Sequence, residues 1–406
     1  MKKKALFFIA GLAVITGCKN EGSKIFEISG NEKYNHANYK GAISDYTEAI
    51  KIDANDTVAY YGRANAKLGL KDYKGAIADY TKVLDMDPKY SPAYERRGDA
   101  KTATDDDSTA LIDYGMAIQM NPKDADAYVK MGNVVAKQGN DTGAINDYNK
   151  AIETDPKNAV AYSTRGLTKY RIGDYKGASA DYAKAVELDP KNADAYYNRG
   201  LAEFNDEDYT AAIRDYDKAI EINPDNANAY MNRGLAKTKS GDYKGAYADY
   251  SKAISMDPKN DGAYVSIGNA KLAAGDNKGA IEDYSKALAI NPRHGQVYYS
   301  RGQAKARLED YTGALGDYER AVRVNPKLVG AYYESARLRV KWEDYKGAIE
   351  DYTHIIAIRP KDADAYYNRA MENYLLGRRD AVCADLAKAK ELGNVNAFKK
   401  IKDLCQ

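Results

Sequence analysis

The sequence has few of the residues from which metal centres are built. Its 406 residues include only three Cys and three His. The histidines, His36, His294 and His354, are far apart, and none has another His four residues away or a Cys beside it. Zinc and related ions need clustered ligands of these types. We therefore expect no metal site.

Signals for catalysis are missing as well. The glycines recur at regular intervals, and none of them forms a phosphate-binding loop. Carboxylates are plentiful but equally periodic, and no segment carries an exceptional set of nucleophile, base and orienting residue. We predict no catalytic residues, no cofactor and no enzymatic activity.

The chain also lacks an excess of charge of one sign. It has 61 Lys and Arg against 59 Asp and Glu, a formal net charge of +2. Three of the cations, Lys2, Lys3 and Lys4, lie in a segment that we expect to be removed, which leaves 58 against 59. This balance gives no support for nucleic acid or an acidic membrane surface as a partner.

Long hydrophobic runs are absent except at the N-terminus, which reads MKKKALFFIAGLAVITGC. The apolar run from Ala5 to Ile15 is too short to span a bilayer and has the length of a signal-peptide core. No second segment of spanning length follows. We expect the rest of the chain to be soluble and to contact a membrane only through a lipid anchor.

The ending ITGC resembles the lipobox of bacterial lipoproteins. The resemblance implies a signal peptide over residues 1–17, lipidation of Cys18, and a lipidated N-terminus and short tether over residues 18–22. Lys19, where an Asp would hold such a protein at the inner membrane, implies an outer-membrane lipoprotein of the bacterial cell envelope. An ordinary secretory signal with an incidental Cys is the alternative.

What the sequence does contain is one pattern repeated every 34 residues. Nine of the ten prolines keep this period, and so does an Asp that is followed in ten cases by Tyr. These Asp residues are Asp45, Asp79, Asp113, Asp147, Asp181, Asp215, Asp249, Asp283, Asp317, Asp351 and Asp385. Eleven repeats fit into residues 23–396, and we expect residues 397–406 to form a capping helix. A fixed period of this length is typical of a helical repeat array.

Positions are counted below as places 1 to 34 of each repeat, with Ser23 as place 1 of repeat 1. In repeat 6, residues 193–226, apolar and small residues lie on one helical face in each half. The aromatic, Gly, Ala and Pro positions resemble the tetratricopeptide repeat. This resemblance implies an all-α fold, a right-handed superhelical α-solenoid of helix-turn-helix repeats in which the first helices line a concave groove.

Cations recur on the face of the first helix that should pack against its neighbours. Place 7 is Arg in seven repeats and Met131, Ile267 and Ser335 in three others, and place 11 is mostly Lys. Place 7 should lie level with place 23, which is always Asp. We therefore interpret the cations as structural ion pairs, with Arg199 and Arg233 facing Asp215 or Asp249, rather than as a polyanion site.

The groove would then carry the function, through the side chains at places 5, 6, 9 and 12, which we call the groove face. The chain has 37 Tyr, so its aromatic residues could also reflect a general preference for Tyr. The candidate ligand residues are Tyr61, Asn133, Tyr170, Tyr197, Asn198, Phe204, Asn232, Asn269, Tyr299, Tyr333, Tyr367 and Asn368. Asn amides between aromatic rings suit an extended peptide, and they would also suit sugar rings.

Three functions remain open at this point. The leading one is a lipid-anchored scaffold that mediates protein–protein interaction through the groove. The second is the binding of a glycan or peptidoglycan fragment. The third is an architectural role in an outer-membrane assembly, since fold alone does not choose among these functions.

The two remaining cysteines form a candidate disulfide. Cys383 lies in the second helix of repeat 11, and Cys405 lies near the end of the predicted cap, 22 residues further on. This separation allows a helix end, a turn and an antiparallel return. Disulfides persist outside the cytoplasm. Two free thiols are the alternative.

Overall fold

The computed structural model describes residues 19–405. The predicted signal peptide and the predicted lipidation site, Cys18, lie outside the described residues. Within residues 19–405 every regular element is an α-helix, as the 34-residue pattern predicted. The chain divides into two compact units, an N-terminal unit that ends at Glu207 and a C-terminal unit that begins at Asp208.

The N-terminal unit contains eleven described helices, which pack as consecutive pairs. Their bounds are α1 Lys19–Asn35, α2 Tyr39–Ile52, α3 Thr57–Gly69, α4 Tyr73–Met86, α5 Ser91–Thr102, α6 Asp107–Met120, α7 Ala125–Lys137, α8 Asp141–Thr154, α9 Ala159–Arg171, α10 Tyr175–Leu188 and α11 Ala193–Asn205. The first helix begins at Lys19, so residues 19–22, predicted as a tether, are helical.

The C-terminal unit contains twelve described helices. Their bounds are α12 Tyr209–Ile222, α13 Ala227–Lys239, α14 Tyr243–Met256, α15 Asp261–Ala273, α16 Asn277–Ile290, α17 Gly295–Arg307, α18 Tyr311–Val324, α19 Val329–Lys341, α20 Tyr345–Ile358, α21 Ala363–Leu375, α22 Arg379–Glu391 and α23 Val395–Leu404. Helix α23 occupies the segment predicted as a cap and begins two residues before it. Among the described helices, none is long and apolar enough to cross a membrane.

Repeat 7 shows why the chain folds into helix pairs. The side chain of Asn226 accepts a hydrogen bond from the backbone N–H of Ala229 and thereby caps the start of α13. Gly241 ends the turn after α13 with a φ of +89°, which a residue with a side chain rarely adopts. Asp242 then caps α14. One polar residue and one Gly therefore fix each end of the turn.

Close packing of the two helices depends on a small residue at place 8 and a Tyr at place 24. A Cβ on Gly234 would lie 2.6 Å from Cε1 of Tyr250, so only Gly lets this ring lie against the first helix. Tyr250 is fully buried, as is Ala246 one turn earlier. Burial of a whole tyrosine ring contributes about 2 kcal/mol from its apolar area alone. The core is therefore a row of such contacts, one per repeat.

The end of the C-terminal unit carries a covalent link. The sulfur atoms of Cys383 in α22 and Cys405 after α23 form a disulfide, and their Cα atoms are 5.6 Å apart. Ala397 of α23 is fully buried against α22, beside Leu386 and Ala389. The last helix is therefore held to its neighbour both by packing and by the disulfide.

Candidate binding face and the ion pairs behind it

The arginines at place 7 form bidentate ion pairs with the Asp at place 23 of the same repeat. In repeat 3, Nε of Arg97 donates to Oδ2 of Asp113 at 2.9 Å and Nη2 donates to Oδ1 at 2.7 Å. The same geometry recurs in the pairs Arg63–Asp79, Arg165–Asp181, Arg233–Asp249, Arg301–Asp317 and Arg369–Asp385. Two parallel charge-assisted bonds make this the strongest type of side-chain pairing.

The lysines at place 11 reach the same carboxylates. Nζ of Lys101 lies 2.8 Å from Oδ2 of Asp113, whose residue is only 1% exposed. Equivalent contacts of 2.7–2.9 Å are made by Lys67, Lys169, Lys237, Lys271 and Lys305. Each buried Asp in these repeats thus has at least one cation within bonding distance, which offsets the cost of burying its charge.

Each arginine also reaches back to the preceding repeat. Nη1 of Arg233 donates to Asp217 at 2.6 Å, and Nη1 of Arg301 donates to the hydroxyl of Ser285 at 3.0 Å. The guanidinium carbons of the place 7 arginines lie 5.3–5.7 Å from the ring centroid of the Tyr at place 4, close enough for a cation–π contact. The arginines with described partners are therefore engaged within the protein and not presented to a polyanion.

The sequence left open which Asp faces Arg233, and the structure pairs it with Asp249. Asp215 belongs to the same C-terminal unit and is 5% exposed. Arg199 belongs to the N-terminal unit, where its guanidinium lies over the ring of Tyr196 at 5.5 Å.

Repeat 4 departs from this pattern. Met131 and Val135 replace the two cations at places 7 and 11, and no ion pair of Asp147 occurs among the described residues. Burial raises the pKa of Asp147 to about 6, because its charged form has lost water without gaining a cation. Asp147 is therefore the carboxylate of this row whose charge opposes folding near neutral pH.

The predicted groove face has half-buried rings and not freely exposed ones. The ring centroid of Tyr61 lies 5.2 Å from that of Tyr90 and 5.8 Å from that of Tyr80. Tyr333 packs on Tyr352 at 6.1 Å and donates its hydroxyl to Asp362 at 2.7 Å. These rings are partly occupied by the fold, and their outer edges remain accessible.

Two other predicted aromatic residues have polar partners on their hydroxyl groups. The hydroxyl of Tyr170 accepts from the amide of Asn205 at 2.9 Å. The hydroxyl of Tyr299 accepts from the amide of Gln303 at the same distance. The remaining predicted residues that are half-buried are Tyr197, Asn198, Phe204, Asn232, Tyr367 and Asn368.

The asparagines at place 9 serve the core as well as the surface. Oδ1 of Asn133 accepts from the buried hydroxyl of Tyr148, and Oδ1 of Asn269 accepts from that of Tyr284, both at 2.8 Å. Both asparagines are exposed. Because the oxygen is used inside, the amide NH₂ group, a double donor, is left for a ligand.

A cavity of about 350 Å³ lies on this face of the C-terminal unit, between α17, α18 and α19. Its lining residues are Gln303, Ala306, Arg307, Tyr311, Tyr318, Glu334 and Arg337. Tyr318 is 1% exposed, and its hydroxyl has no hydrogen-bond partner among the described residues. Since Gln303 donates to Tyr299, the acceptor that Asn supplies to this Tyr in other repeats is absent.

The groove-face prediction did not include Gln303, Arg307, Tyr318 or Arg337. One signal in the sequence could have indicated the site: place 9 is Asn in repeats 2, 4 and 8 but Gln in repeat 9. The longer side chain takes its amide away from the buried tyrosine. The unpaired hydroxyl follows from that change, but it becomes visible only when the rotamers are known.

Family models describe most of this repeated region. Models of the tetratricopeptide repeat match residues 57–90, 163–227, 227–260, 265–328 and 329–362, and a further TPR repeat model matches residues 132–173. Together the matches cover more than half of the chain. A comparison with curated proteins gives no match.

Solved structures of repeat proteins are also similar to the chain. MamA is 34% identical, over 40% of this chain and 95% of its own, with a TM-score of 0.39. YrrB, described as a TPR protein with an unusual peptide-binding site, is 24% identical, over 46% of this chain and 97% of its own, with a TM-score of 0.43. The C-terminal part of a TPR repeat-containing protein from Cytophaga hutchinsonii is 20% identical, over 59% and 98%, with a TM-score of 0.51.

Proposed function

Because the chain belongs to the tetratricopeptide repeat family, we propose that it is a non-enzymatic scaffold that binds an extended segment of a partner protein on its groove face. A lipid on Cys18 would hold it at the bacterial outer membrane. The family supports the protein-binding part of this proposal. The anchor rests on the N-terminal sequence alone.

The observation that carries the proposal is the unpaired hydroxyl of Tyr318 in the cavity beside Gln303. A buried hydroxyl without a partner costs about 1–3 kcal/mol, which a ligand recovers if it supplies an acceptor. Arg307 and Arg337 line the same cavity and face a single carboxylate, Glu334. The site therefore suits a peptide carbonyl next to an acidic side chain.

The variant Tyr318→Phe separates this role from a structural one. Removing an unpaired buried hydroxyl should leave the free protein equally or more stable, yet weaken partner binding about tenfold, because the acceptor of the partner loses its donor. The matched control is Tyr284→Phe, which breaks the bond to Asn269 and should lower stability by about 1 kcal/mol. Thermal unfolding and partner titration measure the two effects.

A photo-crosslinking amino acid at Gln303 identifies the partner used in that titration. We expect a crosslinked protein from envelope fractions, and none from the same label at Arg320, an exposed position on α18 outside the cavity. Equal crosslinking from both positions would contradict the proposal. Retention of peptidoglycan fragments without a protein partner would favour the glycan alternative.

The anchor has a separate test. Replacing Cys18 with Ser removes the thiol that would carry the lipid, so the variant should accumulate as unprocessed precursor, and no mature lipoprotein should enter the detergent phase. Mass spectrometry of the purified N-terminus and detergent phase partitioning report the result. Normal processing and membrane anchoring of Cys18→Ser would disprove the lipobox interpretation and leave the groove proposal untouched.

A further inference from the structure

A second cavity lies where repeat 10 lacks its arginine. Place 7 of repeats 2–11 is Arg in seven cases, and Met131 and Ile267 keep a long or branched side chain in two others. Only Ser335 reduces the side chain to a single hydroxyl group. A cavity of about 350 Å³ opens at this position, lined by Glu319, Val322, Arg323, Pro326, Tyr332, Ser335, Arg339, Glu350, Asp351 and His354.

The inner end of this cavity is made of the groups that hold a guanidinium in the other repeats. Place 23 is Asp351, place 4 is Tyr332, and place 25 of the preceding repeat is Glu319, which corresponds to Asp217 at Arg233. Asp351 and Tyr332 are 6% and 7% exposed. The carboxylates and the ring that would receive an arginine are therefore present.

Arg339, at place 11, takes up part of this binding capacity. Its Nη1 donates to Oδ2 of Asp351 at 3.1 Å and its Nη2 donates to Oε1 of Glu319 at 3.0 Å. One cation thus does the work that an Arg and a Lys share elsewhere. The cavity has three carboxylates, Glu319, Glu350 and Asp351, against two guanidinium groups, so it remains one cation short.

The protonation behaviour of Asp351 agrees with this shortage. Burial raises the pKa of Asp351 to about 6, although the Arg339 and His354 side chains lie close to it. The His354 ring stacks on Tyr332 at 5.1 Å and takes the place that a guanidinium has over this ring in other repeats. Bringing a further cation to Asp351 would favour its charged form.

We propose that the Ser335 cavity binds an alkylguanidinium group supplied by a ligand, such as the side chain of an arginine. Its cation would lie at the exposed part of Asp351 and between Glu319 and Glu350, and its alkyl stem would lie against Val322 and Pro326. This site is formed by places 4, 7, 23 and 25, outside the groove face. The inference therefore does not depend on the proposed function.

Agmatine, a free alkylguanidinium, and the blocked peptide acetyl-Gly-Arg-Gly-amide are suitable probes, with n-butylamine as the ammonium control. Ligand-observed NMR on the full-length protein should show saturable binding of agmatine that is at least tenfold stronger than that of n-butylamine, because guanidinium pairs with carboxylates through two bonds. Tighter binding of the peptide than of agmatine assigns the site to a protein ligand, and the reverse assigns it to a small molecule.

Two variants fill the cavity in different ways. Ser335→Arg supplies the missing guanidinium, and Ser335→Met supplies only volume, as Met131 does in repeat 4; each should weaken agmatine binding at least tenfold. Circular dichroism verifies that both variants fold. Arg301→Ser, which opens the same space beside Asp317, should add a second agmatine site. Unchanged agmatine binding in both Ser335 variants, or no saturable binding to the wild type, would overturn the proposal.

Discussion

Replacing Arg233 with Met is expected to lower the stability of repeat 7 by about 3 kcal/mol, since removing one partner of a buried ion pair leaves the other without compensation. Asp249 is 3% exposed and would lose two of its three cationic contacts, keeping only Lys237 at 2.9 Å. The stacking on Tyr230 and the bond to Asp217 would be lost with them. Hydrogen exchange of α13 and α14 measures the effect locally, as repeat arrays open in parts.

The double variant Arg233→Met/Asp249→Asn provides the control. Neutralising the carboxylate removes the unpaired charge, so the double variant should be at least 1 kcal/mol more stable than the sum of the single changes predicts. Strict additivity would show that the two side chains do not depend on one another, against the structural interpretation of the ion pairs.

Repeat 4 is a natural reference for this experiment, because Met131 already stands in place of the arginine. The pKa of Asp147, about 6, lies above its ordinary value of 3.8. The folded state therefore holds this proton more tightly, and the stability it contributes below pH 4 is lost as the pH rises through 6. Asp147→Asn should accordingly stabilise the protein at pH 7, whereas Asp249→Asn alone should destabilise it.

Reduction of the Cys383–Cys405 disulfide should release the C-terminal helix. The disulfide closes a loop over 22 residues, which is worth roughly 3 kcal/mol in the chain-entropy model. α23 has only ten residues and one fully buried side chain, Ala397, so it is too short to persist without tertiary contacts. We expect dithiothreitol to increase amide exchange in α23 at least tenfold and to leave α13 unchanged.

Cys405→Ser is the matched variant for this measurement. It should show the fast exchange of the reduced protein, and dithiothreitol should have no further effect on it. Thiol titration of denatured mature protein, prepared without reductant, should find neither Cys383 nor Cys405 reactive. Two reactive thiols would mean that packing alone holds the helix.

The helical fold could be predicted from the sequence because each repeat contains the same local signals eleven times. Pro and the polar caps mark the helix ends, and the period of 34 leaves no freedom in where the next pair begins. Asn226 and Asp242 stand where the capping rules place them. The first helix starts earlier than predicted because residues 19–22 carry no stop signal.

The site was less accessible to prediction because it depends on rotamers. Helical spacing placed Arg233 level with an Asp on either side, and only the direction of its side chain decides for Asp249. The reach of Nη1 to the preceding repeat is likewise a matter of side-chain length. Tyr318 looked identical to ten other tyrosines in the sequence, yet a single amide rotation at Gln303 leaves its hydroxyl unpaired.

The contact from each arginine to the preceding repeat has a consequence for how such a chain can lengthen. Arg63, Arg97 and Arg369 ask only a hydroxyl of the neighbouring repeat, while the matching carboxylate is carried in their own repeat. A duplicated segment of 34 residues would therefore arrive with its charges already balanced. Gene duplication could extend the array one repeat at a time without a compensating mutation, whereas an insertion of any other length would separate each arginine from its hydroxyl.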